Sequence, residues 1–231
     1  MNRIYKTALL LLIVSAAWGG DVAYFQNLGF SPNGSYFQFG LYGVEDSSQN
    51  PYAQIYTVDV AKNVFVPASK WSSSLSLGSL GDDGKKVLFS LLEKAAPVRK
   101  KLGLNFENLG RMIFVRVVSE SQKGENKKVE VLDYQTGKKY TGSIVQQVRG
   151  TGANIESSFY IDLLVADKDG KTLTKKKVGS PEHWRKGVQD YSISQIILTP
   201  NEKGLVMVIE RQELNAKGSV NIRYMVETLT F

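Results

Sequence analysis

Apolar and polar residues alternate with a period of two along much of the chain. In Ser35-Tyr36-Phe37-Gln38-Phe39-Gly40-Leu41, residues Phe37, Phe39 and Leu41 fall on one side. That spacing predicts a half-buried strand, because successive side chains of an extended backbone point to opposite faces. Ser31-Pro32-Asn33-Gly34 just before it predicts a turn, with Pro presetting φ, Asn tolerating the third position and Gly closing it. A polar loop at 45–51 leads to Ile55-Tyr56-Thr57-Val58-Asp59-Val60, a β-branched returning strand. The last residues, IILTPNEKGLVMVIERQELNAKGSVNIRYMVETLTF, repeat this plan. Pro200 takes the place of Pro32, an apolar strand covers 205–209, and a returning strand covers 220–229. Similar units therefore open and close the chain, an internal repeat.

A second pattern ties in the middle. VDVAKN, VLDYQTGK and LLVADKDGK each read as a strand, an Asp, and a turn closed by Asn or Gly. The carboxylate of such an Asp accepts backbone N–H groups two or three residues on, and Gly supplies positive φ. Further strands are predicted at 112–118, 143–148 and 191–198, about ten in all. One segment departs from period two. Val87, Leu88, Leu91, Leu92, Ala95, Val98 and Leu102 recur at helical spacing. Asp82 or Asp83 is placed to cap the start, Gly103 to end it, and Pro97 to kink or split it. Lys85, Lys86, Lys94, Arg99 and Lys100 are assigned to the solvent face.

The segment FSPNGSYFQF…IYTVDVAKN resembles the repeat of TolB-type and WD-type propellers, in which a Ser-Pro-Asp-Gly turn precedes one strand and an Asp-x-x-Thr-Gly turn follows another. Asn33 stands where Asp is usual. The chain also resembles a family of bacterial predicted secreted proteins, a domain of unknown function, in which such a unit opens the mature chain and a related one closes it. The resemblance is strongest over 28–63 and 192–231. It implies an exported β protein and supplies no catalytic residues. Two good units, three weaker turns and an intervening helix are less regular than blades of ~40 residues each. The expected fold is therefore mainly β: an antiparallel meander of propeller-like hairpins in one or two sheets with one packed helix. A small irregular β-propeller is the alternative.

The N-terminus changes the picture of location. Arg3 and Lys6 precede an apolar run from residue 8 to 14, and Ala17-Trp18-Gly19 offers small residues at a cleavage site. Residues 1–19 are expected to be a signal peptide and residues 20–231 a single β-rich domain with a helical insertion at about 82–103. The chain is then exported, periplasmic or secreted. Loss of Arg3 and Lys6 takes the formal charge from +7 to +5. A basic surface outside the cytoplasm meets envelope proteins, cell-wall glycans or an anionic membrane surface rather than nucleic acid. There is no cysteine, which excludes disulfides, thiolate metal sites and lipid attachment at a cysteine.

Candidate chemistry is sparse. His183 is the sole histidine, no Ser sits in a G-x-S-x-G elbow, and zinc has no standard ligand set. SPEHWRKG around His183 reads as a loop anchored by Trp184. DKDGKTL at Asp167 fails the calcium-loop register, since Val165 and Lys176 fall where the first and last ligands belong. GDDGKK at Gly81 lacks the phosphate-loop spacing and reads as a helix cap. Glu45 and Asp46 in the first loop and Glu210 and Glu213 near the last would face one another if the end units are neighbours. Paired carboxylates are what glycoside hydrolysis needs.

Lysines cluster at 123, 127 and 128, at 138 and 139, and at 175–177, mostly near predicted turns, where they also discourage stray edge pairing. Aromatic rings are the stronger lead. Tyr36, Tyr42, Tyr52 and Trp71 are the candidate ligand-binding residues, with Tyr36 pointing away from Phe37 and Phe39. No catalytic residue, metal or cofactor is assigned. The expected function is a non-enzymatic binding or interaction protein of the bacterial cell envelope. A carboxylate-dependent glycan hydrolase and a self-assembling structural protein are the alternatives.

Overall fold

A computed structural model describes residues 20–76, 83–117, 127–215 and 217–231. The expected signal peptide, Asp82 and Lys123 lie outside these residues. Within them the chain is mainly β, with 60% strand, twelve strands and one helix. The first sheet contains β1 (Tyr24–Phe30), β2 (Tyr36–Val44), β3 (Pro51–Asp59) and β4 (Val64–Ser74), paired in that order. The helix α1 (Lys85–Leu102) follows, then β5 (Arg111–Val115). The third sheet is a second simple meander of β6 (Lys128–Leu132), β7 (Lys139–Arg149), β8 (Glu156–Ala166) and β9 (Thr172–Lys186). The central sheet is built last, from β10 (Val188–Leu198), β11 (Gly204–Leu214) and β12 (Val220–Thr230), with β5 added beside β10.

Every strand pair within these sheets is antiparallel. The mainly-β class holds, but the hairpins divide into three sheets rather than one or two. They form no closed barrel or propeller among the described residues. The reason lies in the central sheet, which is covered on both faces. Leu205, Met207 and Ile209 join the core shared with Phe159, Ile161 and Leu163 of the third sheet. Val206 and Val208 join the core shared with Phe37, Phe39 and Leu41 of the first. All five residues of 205–209 are at most 0% exposed. A strand with apolar neighbours on both sides loses its alternation and reads as a continuous apolar run. The outer face of the first sheet is then sealed by α1, where Leu28, Tyr42, Ala53 and Ile55 meet Val87, Leu88, Leu91 and Ala95. The order of layers is helix, first sheet, central sheet, third sheet.

The turns form as their residues dictate. The amide of Gly34 donates to the carbonyl of Ser31 at 2.9 Å, and that of Glu202 to Thr199 at 2.8 Å. These two Pro-containing turns touch: the Asn201 side chain donates to the Asn33 carbonyl at 2.6 Å. Asp59, Asp133 and Asp167 each accept backbone amides of the following turn, from Lys62, Gln135, Asp169 and Lys171. The DKDGKTL stretch is thus the β8–β9 hairpin turn.

Four local readings change. The helix starts after Gly84 in a left-handed conformation, with Asp83 accepting the amide of Lys85 rather than capping as its first residue. Pro97 does not split it: α1 runs to Leu102 with the proline on its exposed side. Arg99 is not on the solvent face. It is 7% exposed and donates to the Leu28 carbonyl at 3.1 Å and to the Gln38 carboxamide oxygen, while Gln38 donates to Thr57 at 3.0 Å. Phe106 covers the guanidinium at 3.9 Å. Finally, SPEHWRKG belongs to β9 and is no loop. Pro181 is tolerated because β9 is an edge strand with a register shift opposite Ser157–Phe159. Trp184 is half-buried beneath Arg149, 4.1 Å away, and anchors no core cluster.

Candidate functional site

The two end units are neighbours, and a polar cleft opens where they meet. Residues 20–23 run parallel to β12. Val22 bridges Ile222, the Ala23 amide donates to the Ile222 carbonyl at 3.0 Å, and the Ile222 amide donates to Asp21 at 2.9 Å. The arrangement carries Asp21 to Arg223, which donates to its carboxylate. Arg223 in turn lies 5.4 Å from the ring centre of Tyr52.

Two adjoining lobes, of about 390 and 320 Å³, share Glu45 and Arg223. In the larger, β3 and β4 supply the wall. Register places Gln54 opposite Ser72 and Tyr52 opposite Ser74, so these four lie on one face of the first sheet. The smaller lobe is closed by Asp46, Ser47, Asn215 of the β11–β12 loop and Asn221 of β12.

Tyr52 lines the larger lobe. It is 8% exposed, and its hydroxyl is fully buried with no hydrogen-bond partner. Burial pushes the phenol up to about 12, against the lowering influence of Arg223; Asp21, Glu45 and Glu213 push the same way as burial. The ring seats here because residue 43 has no side chain. A Cβ on Gly43 would lie 3.1 Å from the Tyr52 hydroxyl and 3.0 Å from the Val22 carbonyl. The phenol is neutral at physiological pH, able to give one hydrogen bond and accept two. Around it stand hydroxyls, a carboxamide, a carboxylate and a guanidinium, an arrangement suited to a ligand rich in hydroxyl or amide groups.

The four aromatic candidates do not form one patch. Tyr42 and Tyr52 lie on opposite faces of the first sheet, because Tyr42 pairs with Ala53 and Tyr52 with Gly43. Tyr42 is 8% exposed, faces α1 and stacks on Tyr24 at 5.2 Å. Trp71 packs half-buried against the same helix-side core. Tyr36 does point away from Phe37, but to the face that α1 covers, the side on which Arg99 reaches Gln38. Alternation was correct, and the helix decided that the other face is not open to solvent.

The facing carboxylates are partly brought together. Glu45 and Asp46 border the cleft; Glu45 accepts from Ser48 at 2.8 Å. Glu213 is paired with Arg211 at 2.8 Å. Glu210 stands apart beside Tyr224, 3.5 Å away, where burial raises its pKa. Among the described residues no group of three or more His, Cys, Asp or Glu is placed to hold a metal ion. Among the same described residues no helix is long and apolar enough to cross a membrane.

Sequence reasoning missed Asp21, Arg223 and the run Ser72-Ser73-Ser74. An Arg within the β-branched pattern NIRYMV was the one available signal, since a charged residue in a strand asks for a partner.

No curated protein and no solved structure matches the chain. A family model does match, over residues 38–230, a span that begins in β2 and ends at the last residue of β12. The chain therefore belongs to the DUF2259 family of predicted secreted proteins.

Proposed function

We propose that the protein is an exported, non-enzymatic binding protein of the bacterial cell envelope whose ligand is a segment of cell-wall glycan held in the Tyr52–Arg223 cleft. The observation that carries this reading is the Tyr52 hydroxyl. It is buried, unpartnered and placed in the wall of a polar cleft. Buried polar groups are normally satisfied, so an orphan in a cleft marks a position that a ligand atom completes. The serine hydroxyls of β4, Gln54 and the flat guanidinium of Arg223 match vicinal hydroxyl and acetamido groups. The lobe volumes fall within or near the range of small-molecule sites, ~300–1,000 Å³. Membership of a secreted family supports a ligand met outside the cytoplasm.

The test is calorimetric titration of the purified protein with an N-acetylglucosamine tetramer. Binding that Tyr52→Phe weakens about tenfold, the loss of one good hydrogen bond, supports the reading. Glycan binding that is indifferent to Tyr52→Phe removes the cleft from the account. Crosslinking in cells followed by mass spectrometry covers the other occupant. A reproducible envelope protein crosslinked at this cleft, with no glycan binding, replaces the glycan by a protein partner.

A further inference from the structure

A larger cleft lies elsewhere, about 620 Å³, where an edge of each sheet converges. The first sheet contributes Lys62 and Asn63 from the β3–β4 turn. The third contributes Lys176, Lys177, His183 and Arg185 from β9. The central sheet contributes Glu227 from β12. We infer that this cleft is a second binding site, separate from the Tyr52–Arg223 cleft, and that it takes a compact ligand carrying several oxyanion groups, carboxylate or phosphate.

The argument rests on how the cations are held. Several basic side chains elsewhere on the surface are neutralised by carboxylates. Arg111 pairs with Asp133 and Glu202, Arg149 with Glu156, and Lys128 and Lys139 with Glu130. In the cleft, Lys62 pairs with Asp59 at 3.3 Å, whereas among the described residues no ion pair holds Lys176, and Arg185 feels only the charge of Glu227. Aromatic faces orient Arg185, which lies 5.2 Å from the centre of the Phe159 ring and 5.9 Å from that of Tyr191. Lys177 is on the opposite face of β9, across from Asp162 and over Tyr160. Lys176 donates to the Thr230 carbonyl at 2.6 Å, which fixes its ammonium but leaves its charge uncompensated. A ring positions a cation without cancelling it, so these charges remain available to an incoming anion.

The one carboxylate in the cleft is Glu227, 5% exposed and held by the Asn63 side chain. The same Asn63 accepts the Thr228 amide at 2.8 Å, which ties the first sheet to β12 and fixes the cleft floor. Backbone also approaches closely here. Residue 179 has φ +100°, and a Cβ there would sit 3.3 Å from the Phe159 carbonyl and 3.6 Å from the Glu227 carboxyl carbon. Only glycine keeps this wall open. Exposed lysines alone describe any basic protein. Two cations on the core side of β9, one fixed on a carbonyl and one on aromatic faces, in a concave wall with a single buried acid, describe a receptor for negative charge.

The experiment is titration of the purified protein, at low ionic strength and fixed pH, with pyrophosphate in one arm and citrate in the other. The arm that binds more tightly identifies the anion chemistry. Arg185→Ala is expected to weaken binding about tenfold and Lys176→Gln severalfold. Glu227→Gln is expected to tighten it, since it removes the repelling charge. Tyr52→Phe, in the other cleft, should leave it unchanged, so that the two site assignments fail or survive separately. Lys176→Gln alters an exposed side chain and keeps the test valid if Arg185→Ala does not fold. The inference is overturned if neither anion binds at millimolar concentration, or if binding ignores both basic substitutions.

Discussion

Tyr52→Phe should make the free protein more stable while it weakens ligand binding. The phenol ring of Tyr52 packs at 8% exposure, and phenylalanine reproduces that packing. What disappears is a hydroxyl that has no partner. A buried polar group left unsatisfied costs about 1–3 kcal/mol, and its removal returns that amount. The ring keeps its position beneath Arg223, 5.4 Å away, because a cation attracts the face of phenylalanine as well. The substitution also removes no hydrogen bond within the protein. The expected gain is about 1–2 kcal/mol, the lower part of the range because the cleft is open beside the ring. For a chain of this size each kcal/mol is worth ~2–4 °C in Tm, so a rise of about 2–8 °C is expected. Urea denaturation followed by tryptophan fluorescence, with unchanged m-value, measures it. A variant less stable than the parent by 1 kcal/mol or more would show that the hydroxyl is already satisfied in the free protein. The reasoning that makes this cleft a binding site would then fall.

Other expectations follow from the same accounting. Burial raises the pKa of Glu227 above its ordinary 4.5, so between that value and the raised one the folded state holds a proton that the unfolded state has lost. Stability therefore declines as pH rises through that window; Glu227→Gln should be more stable than the parent above it, with the gap closing below about pH 4.5, as denaturation at a series of pH values will read. Arg99→Ala strands the Gln38 oxygen and the Leu28 carbonyl beneath α1, and a loss of about 2–4 kcal/mol is expected by urea denaturation. Met207→Ala empties a position that is 0% exposed in the doubly covered central sheet, with an expected loss of about 2–5 kcal/mol by the same assay. Glycoside and cell-wall substrates should show no turnover; hydrolysis abolished by Glu45→Gln would replace binding by catalysis.

Much of the local structure was legible in the chain. The Pro turns at 31–34 and 199–202 and the three Asp turns formed where their residues placed them, because turn chemistry is settled within four residues. The helix was legible in its apolar spacing, although its start moved to Gly84. β9 was missed, since Thr172–Lys186 is mostly polar and includes a proline. An edge strand with one solvated side needs no apolar pattern and tolerates Pro, so it leaves little periodic trace. Arg99 was misplaced for the opposite reason. Its charge argues for solvent, and only three acceptor and ring partners from β1, β2 and the segment after α1 make its burial acceptable.

By itself the sequence determined export, a β-rich antiparallel chain, the hairpin turns and the faces of individual strands. Each depends on residues close together along the chain. Which face is covered, and by what, belonged to the tertiary structure. The alternation that separates Tyr42 from Tyr52 is written in residues 42–53, but α1 covers one face and β12 the other only because the layers stack in this order. Both clefts belong to the same class of fact. Arg223 meets Tyr52, and Glu227 meets Asn63, across separations of more than 160 residues along the chain. No local pattern encodes such a meeting, because the free energy that selects it comes from burying both faces of the central sheet at once.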